Sequence, residues 1–337
     1  RRWDKSRYTG DDVTCQGRHP VVCTLPRAHA PLRPRPRLAV VVVGLIDRFY
    51  PHAVLRHVVA PAARDGFDVD YCVIMVMQSI ANFKGNEDNA SSTRQPSWLI
   101  STFNTGWLYP TVNPAWKGIG PKGLRDQLIW QATRYNASRL ILLTLHRDLL
   151  LHPFPPDQEV VFWSKEALQQ HVLESVKKVK RRKKLSDLSM KRFWKIEWLW
   201  ERIPGAESGV YHQVVLTRDD LFLAKDVNMS LFPDAAAIYS RHWGGYCDPK
   251  TARVGTPNDH LIVVGGIPAI WYMKLYHQYW ANTDPSLDHP QCTEDFLLRV
   301  AKSKGVRWEL VPDDDMPFAL EMHIKHPGMD SSVRCLR

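Results

Sequence analysis

The sequence of 337 residues contains no apolar stretch long enough to cross a bilayer as a helix. Its longest apolar run without a proline covers residues 38–46, whereas a membrane-spanning helix needs about 20 residues. Only six cysteines are present, without a Cys-x-x-Cys pair or a Cys/His cluster at zinc-ligand spacing. This excludes a disulfide-dense scaffold and a zinc-finger module. With 44% hydrophobic and 24% charged residues, the composition is that of a globular fold.

Cysteines and glycosylation sequons both bear on the compartment. Cys15 and Cys23 are close enough in sequence for a bridge, whereas Cys72 lies in an apolar run and is predicted to be buried. Asn-x-Ser sequons become glycan acceptors only in the secretory pathway. They occur at Asn89, Asn136 and Asn228. Together these features favour an oxidising, secretory compartment.

Positive charge exceeds negative charge by ten, with 45 Lys and Arg against 35 Asp and Glu. A concentrated run supplies seven of the basic residues: Lys177, Lys178, Lys180, Arg181, Arg182, Lys183 and Lys184. Such a run suits a nuclear address, a polyanion-binding patch or the solvated end of a helix. We favour the helix end, because residues 166–179 have helical periodicity and lead directly into the run.

Two regions of different character meet at residue 37. Residues 1–36 are rich in Arg and Pro, and repeated prolines remove backbone donors, so this segment is predicted to be an arm or stem. Residues 37–337 alternate apolar runs with helical periodicity. This predicts one α/β domain with an open, mainly parallel sheet covered by helices on both faces. Within it, residues 164–203 are expected to form a basic and aromatic helical insertion.

The apolar pattern also gives the expected order of elements. Strands are predicted at residues 38–44, 69–77, 139–145, 213–217, 235–240, 261–264 and 306–311, and helices at residues 52–64, 124–135, 268–280 and 294–303. The aromatic side chains near residues 193–200 are interpreted mainly as core, although an exposed Trp there would suit stacking on a sugar ring. Ligands of open α/β sheets bind beyond the carboxyl ends of strands, so the residues after each strand are the first site candidates.

An acidic turn follows the strand predicted at residues 213–217. Arg218, Asp219 and Asp220 come directly after it. Carboxylates there supply oxygen ligands for a hard divalent cation, which fills its remaining positions with water and substrate phosphates. The turn therefore predicts a metal site for a nucleotide diphosphate, although Asp-Asp also suits an ordinary turn.

Two later segments add to the candidate site. Gly265 and Gly266 follow an apolar strand, and without side chains they let backbone approach a ligand closely. Glu294 and Asp295 open a helix, where the helix dipole also favours acids for stability alone. In the functional interpretation, one of these carboxylates acts as a general base.

Further metal ligands are available near the C-terminus. His323 and His326 are candidates to complete the metal shell, with isolated surface histidines as the alternative. A rival acidic cluster follows the last predicted strand, at Asp313, Asp314 and Asp315. Because Pro312 and Pro317 bracket this cluster, a solvated loop is the preferred interpretation and the cluster ranks second as a metal site.

The order of acid pair, Gly-Gly, Glu-Asp at a helix start and C-terminal His resembles that of nucleotide-sugar glycosyltransferases of the GT-A fold. The resemblance implies that the acids and the His bind Mn²⁺ or Mg²⁺ and that the glycine loop lines the acceptor side. It also implies that Asp295, the last acid of the helix start, is the base of an inverting displacement.

A closer resemblance is to a family of GT-A-like glycosyltransferases found in algae, plants, fungi and bacteria. Its motifs are matched by Gly44, Arg48 and Phe49, by Arg218, Asp220 and Leu221, by Asn258, Asp259 and Gly265, and by the helix over residues 294–305. Family members carry a neutral residue where this chain has Asp219, so the resemblance implies Asp220 as the metal ligand and Asp219 as an addition. Asp47 and Arg48 fall where the nucleotide base or ribose would bind.

The sequence thus predicts a metal-dependent glycosyltransferase that moves a sugar from a nucleotide-sugar donor to a glycan, protein or small-molecule acceptor. From the Pro- and Arg-rich arm, the sequons and the family resemblance, we expect the Golgi-lumenal part of a type II membrane protein whose anchor precedes Arg1. Two alternatives stay open. One is a non-catalytic lumenal binding or assembly protein of the same fold. The other is a nucleic-acid-associated protein that uses the basic run, although nucleic acid is not an expected partner.

Overall fold

The computed structural model is a mixed α/β fold built around one large open sheet. It describes residues 13–18, 20–26, 34–46, 49–77, 116, 118–145, 187–219, 221–223, 225–243, 256–281, 287 and 293–320. Among these residues, no helix combines the length and the apolar character that a bilayer span requires.

Nine of the described strands form the large sheet. They are β1 (Thr14–Gln16), β2 (Val21–Thr24), β3 (Arg37–Leu45), β4 (Asp68–Val76), β5 (Arg139–Leu145), β6 (Gln213–Arg218), β8 (Ala237–Trp243), β9 (Thr256–Gly265) and β10 (Arg307–Val311). Their spatial order is β1-β2-β5-β4-β3-β6-β9-β8-β10. A separate two-stranded sheet pairs β7 (Leu221–Leu223) with β11 (Phe318–Leu320).

The centre of the sheet is parallel and its flanks are mixed. Strand β3 pairs in parallel with β4 and β6, and β4 pairs in parallel with β5. These strands are apolar runs without polar alternation because both of their faces are covered. Strand β9 runs antiparallel to both β6 and β8. The reversal brings the amino end of β9 to the carboxyl ends of β3 and β6, which we call the carboxyl edge.

Helices cover both faces, as the sequence predicted. They are α1 (Pro51–Val54), a π-helical stretch (Leu55–Val59), α2 (Ala60–Arg64), α3 (Pro121–Arg134), α4 (Asp187–Trp200), α5 (Gly266–Tyr272), α6 (Leu275–Ala281) and α7 (Thr293–Ser303). The first four pack with one buried cluster and the last four with a second cluster across the sheet. The predicted α/β architecture is confirmed, and the helix expected at residues 268–280 is divided into α5 and α6.

A proline explains the irregular stretch in the first helical segment. Pro61 has no N–H and so cannot donate to the carbonyl of His57 one turn earlier. That carbonyl instead accepts a hydrogen bond from the Val227 N–H at 2.8 Å. The segment therefore changes to π-helical geometry before Pro61 and is tied to the chain that follows β7.

The arm predicted for residues 1–36 is wrong for the part of it that the structure describes around residues 14–24. Strands β1 and β2 form a hairpin, and β2 extends the sheet by pairing with β5. The predicted bridge between Cys15 and Cys23 is confirmed and joins two directly opposed residues of the hairpin. The prolines that suggested an arm all lie outside these strands. Cys72 is buried, as predicted.

Helix α4 belongs to the core. Of the region called an insertion, the structure describes residues 187–203, and the basic run lies outside the described residues. The buried hydrophobic side chains are Phe193, Trp194, Ile196, Leu199, Trp200 and Ile203, which confirms the core interpretation. Trp198 is half-buried, its ring is stacked on Trp194, and the Arg202 guanidinium lies 4.1 Å from its centre. This ring is therefore not a sugar platform in the structure.

Candidate active site at the carboxyl edge

The end of β3 and the turn after β6 meet at the carboxyl edge. The Leu45 N–H donates to the Asp219 carboxylate at 2.8 Å, and Asp219 is 3% exposed. A β-carbon at Gly44 would overlap the Asp219 side chain. Gly44, which the sequence resemblance singled out, therefore leaves room for this carboxylate, and Asp219 is held at the meeting point of the two central strands.

The loop after β3 is anchored beside the same point. The Trp116 indole donates to the Phe49 carbonyl at 2.7 Å and stacks on the Phe49 ring. The Tyr50 N–H donates to the Asp219 carbonyl at 3.4 Å. Phe49, which the sequence resemblance singled out, is thus a buried structural residue of this edge.

Asp259 reaches the carboxyl edge through the reversed strand β9. Arg192 of α4 holds it with two bonds, from Nη1 to the carboxylate Oδ2 and from Nη2 to the Asp259 carbonyl, both at 2.8 Å. Burial alone would raise the pKa of Asp259, but the charges of Arg192, His260 and Arg218 hold this pKa below its ordinary value. Asp259 is therefore a fixed anion at the site.

Helix α7 begins near this anion. Glu294 is half-buried in the first helical turn, where burial and the charge of Asp259 raise its pKa, while the backbone and Arg192 act in the opposite direction. Asp295, its neighbour, pairs with Arg299 of the same helix at 2.9 Å. Glu294, one of the two acids predicted as general base, therefore interacts with Asp259 electrostatically.

The structure separates the Gly265–Gly266 pair from these residues. Gly265 pairs with Gln213 at the amino end of β6, six residues along β9 from Asp259 and hence about 20 Å away. A β-carbon at Gly265 would meet the Ala235 carbonyl, and one at Gly266 would meet the carbonyl of Tyr211. The expected position of this pair at the carboxyl edge is wrong, and the backbone that approaches these glycines is the chain's own.

Several predicted site residues lie outside the described residues. They are Asp47, Arg48, Asp220, His323 and His326. Asn258 belongs to β9, but its side chain is likewise outside the description. The predicted metal site is thus described only at Asp219. Across the described part of the chain, no group of three or more His, Cys, Asp and Glu side chains has the arrangement of a metal site.

The small sheet pairs two residues that flank predicted metal ligands in the sequence. Leu320 of β11 pairs with Leu221 of β7. Asp220 directly precedes Leu221, and His323 follows Leu320 by three residues.

The rival acidic cluster is engaged in ion pairs. Asp313 accepts from Arg241 Nε at 2.6 Å, and Asp314 lies 3.2 Å from the Lys225 ammonium. Arg241 also donates to the Phe318 carbonyl and lies over the Phe318 ring. These ion pairs hold the chain between β10 and β11 in place, so the positions of Asp313 and Asp314 are explained by protein contacts.

Arg192 is the site residue that the sequence did not predict. It directly precedes the buried aromatic run of α4, and nothing in its local pattern distinguishes it from the preceding Lys191. Its partner Asp259 is 67 residues away. A charged residue on a helix that packs into the core requires a partner, but that rule does not identify which one.

Comparisons with known proteins give distant structural likeness only. No protein-family model matches the chain, and no curated protein matches it. The structure is similar to the WbbM bifunctional glycosyltransferase, with a TM-score of 0.39 and 10% identity over 87% of this chain and 41% of that one. It is also similar to mouse xyloside xylosyltransferase 1, with a TM-score of 0.34 and 10% identity over 82% and 85%. The chain thus spans less than half of the first of these proteins, and we assign no activity or residue role from either likeness.

Proposed function

We propose that the protein is a metal-dependent glycosyltransferase that uses a nucleotide-sugar donor. The observation that carries the proposal is the meeting of three separate segments at one sheet edge. Asp219 follows β6, Asp259 lies near the start of the reversed β9, and Glu294 lies in the first turn of α7. Such an edge is where open α/β sheets bind ligands, and this one combines fixed anions, a half-buried acid and the basic side chain of Arg218.

The proposed metal ligands are Asp220, Asp219 and His323, with His326 as a further candidate. Carboxylate oxygens and imidazole suit Mn²⁺, and carboxylates suit Mg²⁺. Asp219 already has one oxygen fixed by the Leu45 N–H, and Asp220 directly follows it in the sequence. When bound, the cation would neutralise the charge of the departing diphosphate. Arg218 would add positive charge for the same phosphates.

The acids at the start of α7 would serve the acceptor. Glu294 or Asp295 would take the proton of the acceptor hydroxyl as its oxygen attacks the anomeric carbon of the donor. The bond from that carbon to the diphosphate breaks, and its electron pair stays on the phosphate oxygen. The resulting displacement would invert the anomeric configuration. The donor sugar and the acceptor are not specified by this arrangement.

Ligand-dependent thermal unfolding tests the proposal. Nucleoside diphosphates and nucleotide-sugars are added with and without Mn²⁺, because a ligand that binds only the folded state raises stability by about 2.7 kcal/mol at a hundredfold excess over its Kd. We expect one nucleotide class to raise Tm in a Mn²⁺-dependent manner, and Asp220→Asn to abolish the rise. Asp314→Asn, in the rival cluster, should keep it. No response to any nucleotide, or equal responses in both variants, would contradict the proposal.

Turnover separates catalysis from binding. A non-catalytic protein of the same fold would bind the nucleotide-sugar and leave it intact, whereas a transferase slowly hydrolyses the donor in the absence of an acceptor. We therefore expect Mn²⁺-dependent release of the sugar from the donor that gives the largest Tm rise. Binding without release would favour the non-catalytic alternative.

We also propose that the protein works in the secretory pathway, in the Golgi lumen. The Cys15–Cys23 bridge supports an oxidising compartment. The sequon residues Asn136 and Asn228 are exposed, while Asn89 lies outside the described residues. Peptide mapping of the protein from its native source should find this bridge and at least one glycan at these sequons. Free thiols at both cysteines and unmodified sequons would contradict this location.

A further inference from the structure

The contact between Arg192 and Asp259 joins helix α4 to the most irregular part of the sheet. Ser240 pairs with Ile262 and His242 pairs with Pro257, so β9 advances five residues while β8 advances two. Asp259 and His260 lie in this extra length. Asp259 bonds to Arg192, whereas the His260 ring lies 6.3 Å from Phe318, which belongs to the cluster on the other face of the sheet. The consecutive side chains of Asp259 and His260 thus make contacts on opposite faces of the sheet.

The grip of Arg192 fixes both the backbone and the side chain of Asp259. One guanidinium nitrogen bonds to the carbonyl and another to the carboxylate. A planar guanidinium that makes two bonds orients its partner, which a lysine ammonium at the same place would not do. The side chains of Arg192 and Asp259 are only 14% and 16% exposed, so water weakens the contact little. The position of this anion depends on Arg192.

The pKa values of the two acids near Arg192, Asp259 and Glu294, are shifted in opposite directions. Arg192, together with His260 and Arg218, favours the ionised form of Asp259 against its burial. Burial and the resulting charge of Asp259 favour the protonated form of Glu294. Strand β10, which also packs on α7, carries Arg307 and Glu309, and these two pair with each other at 2.6 Å. Pairs of acids whose pKa values are driven apart are a recurrent arrangement for proton transfer.

We propose, on the basis of the function proposed above, that Arg192 is a positioning residue that holds Asp259 as an anion, and that this anion makes Glu294 the group that receives the proton of the acceptor hydroxyl. The proton passes from the hydroxyl oxygen to a Glu294 carboxylate oxygen, while that hydroxyl oxygen forms the new bond to the anomeric carbon and the diphosphate departs with its electron pair. Asp295, which pairs with Arg299, is left to stabilise the helix start.

Direct titration of the two acids tests the arrangement without any activity. Carboxyl ¹³C NMR signals of Asp259 and Glu294 are assigned by their loss in Asp259→Asn and Glu294→Gln, and are followed against pH. We expect Asp259 to titrate below its ordinary range and Glu294 above it. In Arg192→Met the Asp259 midpoint should rise by about one pH unit or more, so that the two acids titrate as a coupled pair.

Two further variants control this measurement. Arg192→Lys keeps the charge but loses the two-bond grip, and we expect an intermediate shift of the Asp259 midpoint. Arg125→Met removes an arginine of α3 that pairs locally with Asp126, and both midpoints should stay unchanged. If Arg192 only stabilised the fold, Arg192→Met would lower Tm and leave the Asp259 midpoint in place. That result would overturn the positioning role.

Transfer kinetics test the role of Glu294. With an active donor and acceptor, Glu294→Gln should lower kcat by about a hundredfold or more with nucleotide affinity preserved. It should also lower kcat more than Asp295→Asn does. Arg192→Met should move the acid limb of the pH–rate profile. A larger loss in Asp295→Asn, or an unmoved acid limb, would overturn the inference. A third outcome is that Asp259 and Glu294 titrate at separate midpoints but no sugar is transferred. That outcome would overturn the proposed function, while the effect of Arg192 on Asp259 would still hold.

Discussion

The Asp219 side chain occupies the space that a side chain at position 44 would need. Gly44 belongs to β3, and Asp219 directly follows β6, which pairs in parallel with β3. The Leu45 N–H next to Gly44 donates to the Asp219 carboxylate. The absence of a β-carbon at position 44 thus lets an acid from the turn after β6 reach the backbone of β3. Gly44, which matches a family motif in the sequence, thus leaves the space in which Asp219, a candidate metal ligand, is held.

Gly44→Ala should therefore disturb Asp219. The added methyl group overlaps the carboxylate, so the side chain must move and its bond to the Leu45 N–H must lengthen. Overpacking of this kind costs about 1–3 kcal/mol, and we expect a loss of that size in urea unfolding, together with weaker Mn²⁺-dependent nucleotide binding. Gly120→Ala is the matched control, because a β-carbon there meets nothing within 4 Å. Equal stability of the two variants would show that the carboxylate accommodates the methyl group.

Gly266→Ala should act on stability alone. Its β-carbon would meet the carbonyls of Tyr211 and His212. These residues directly precede β6, at the amino edge of the sheet, which is the edge opposite the carboxyl edge. We expect a loss of about 1–3 kcal/mol in the free energy of unfolding. The nucleotide affinity of the folded protein should be unchanged, because the candidate site lies at the other edge. A specific loss of affinity, measured by calorimetry under conditions where the variant is folded, would restore the glycine-loop prediction.

The sequence was informative where a signal is local. The uninterrupted apolar runs predicted β3, β4, β5 and β6 to within about one residue, because a strand buried on both faces needs such a run. The direction of β9 has no local signal. An apolar strand of either direction has the same composition, so Gly265 and Gly266 were assigned to the wrong edge. The edge hairpin was missed because the surrounding prolines dominated the composition of residues 1–36.

Ionic contacts show the same division. The acids of α7 were placed correctly at a helix start, since the sequence of a helix terminus is local. The pairing of Asp259 with Arg192, 67 residues away, follows only from the three-dimensional placement of α4 and β9. The site as a set of segments was thus accessible from the sequence, whereas the contacts that set the charge of each acid were not.

Asp70 should be a major source of stability at the amino edge. Its carboxylate is 1% exposed and accepts bonds from Arg37, Arg139 and the Tyr211 hydroxyl at 2.6–2.9 Å. Removing one partner from such a buried network leaves the remaining charges uncompensated, which costs about 3–5 kcal/mol. We expect Asp70→Asn to lower the free energy of unfolding by about that amount in chemical denaturation.

The control for Asp70→Asn is Asp65→Asn, an exposed acid shortly before β4. It should change stability by less than about 0.5 kcal/mol. Asp70 is the centre of an ionic cluster on the edge opposite the candidate site. If Asp70→Asn were as stable as Asp65→Asn, the ionic cluster would not contribute to the free energy of unfolding, and the prediction would be contradicted.

Glu197 should make the stability of the protein depend on pH near neutrality. It is buried on α4, and its carboxylate accepts from the His277 N–H of α6 at 2.9 Å. Burial raises the pKa of Glu197 from the ordinary 4.5 to about 7, against the opposing effect of this hydrogen bond. Between these values the folded protein binds a proton that the unfolded chain has released. Stability therefore falls as the pH rises from about 4.5 to 7.

Glu197→Gln removes this titration and keeps an oxygen that can accept from the His277 N–H. The full effect of the proton corresponds to a change on the order of 3 kcal/mol. We expect the variant to gain stability relative to the wild type as the pH rises from 5 to 7.5, in urea unfolding at matched ionic strength. Glu309→Gln, a less buried acid of β10, should follow the wild-type curve over the same range. Parallel curves for the wild type and Glu197→Gln would mean that Glu197 is ionised throughout, with the N–H bonds at the start of α6 sufficient to compensate its burial.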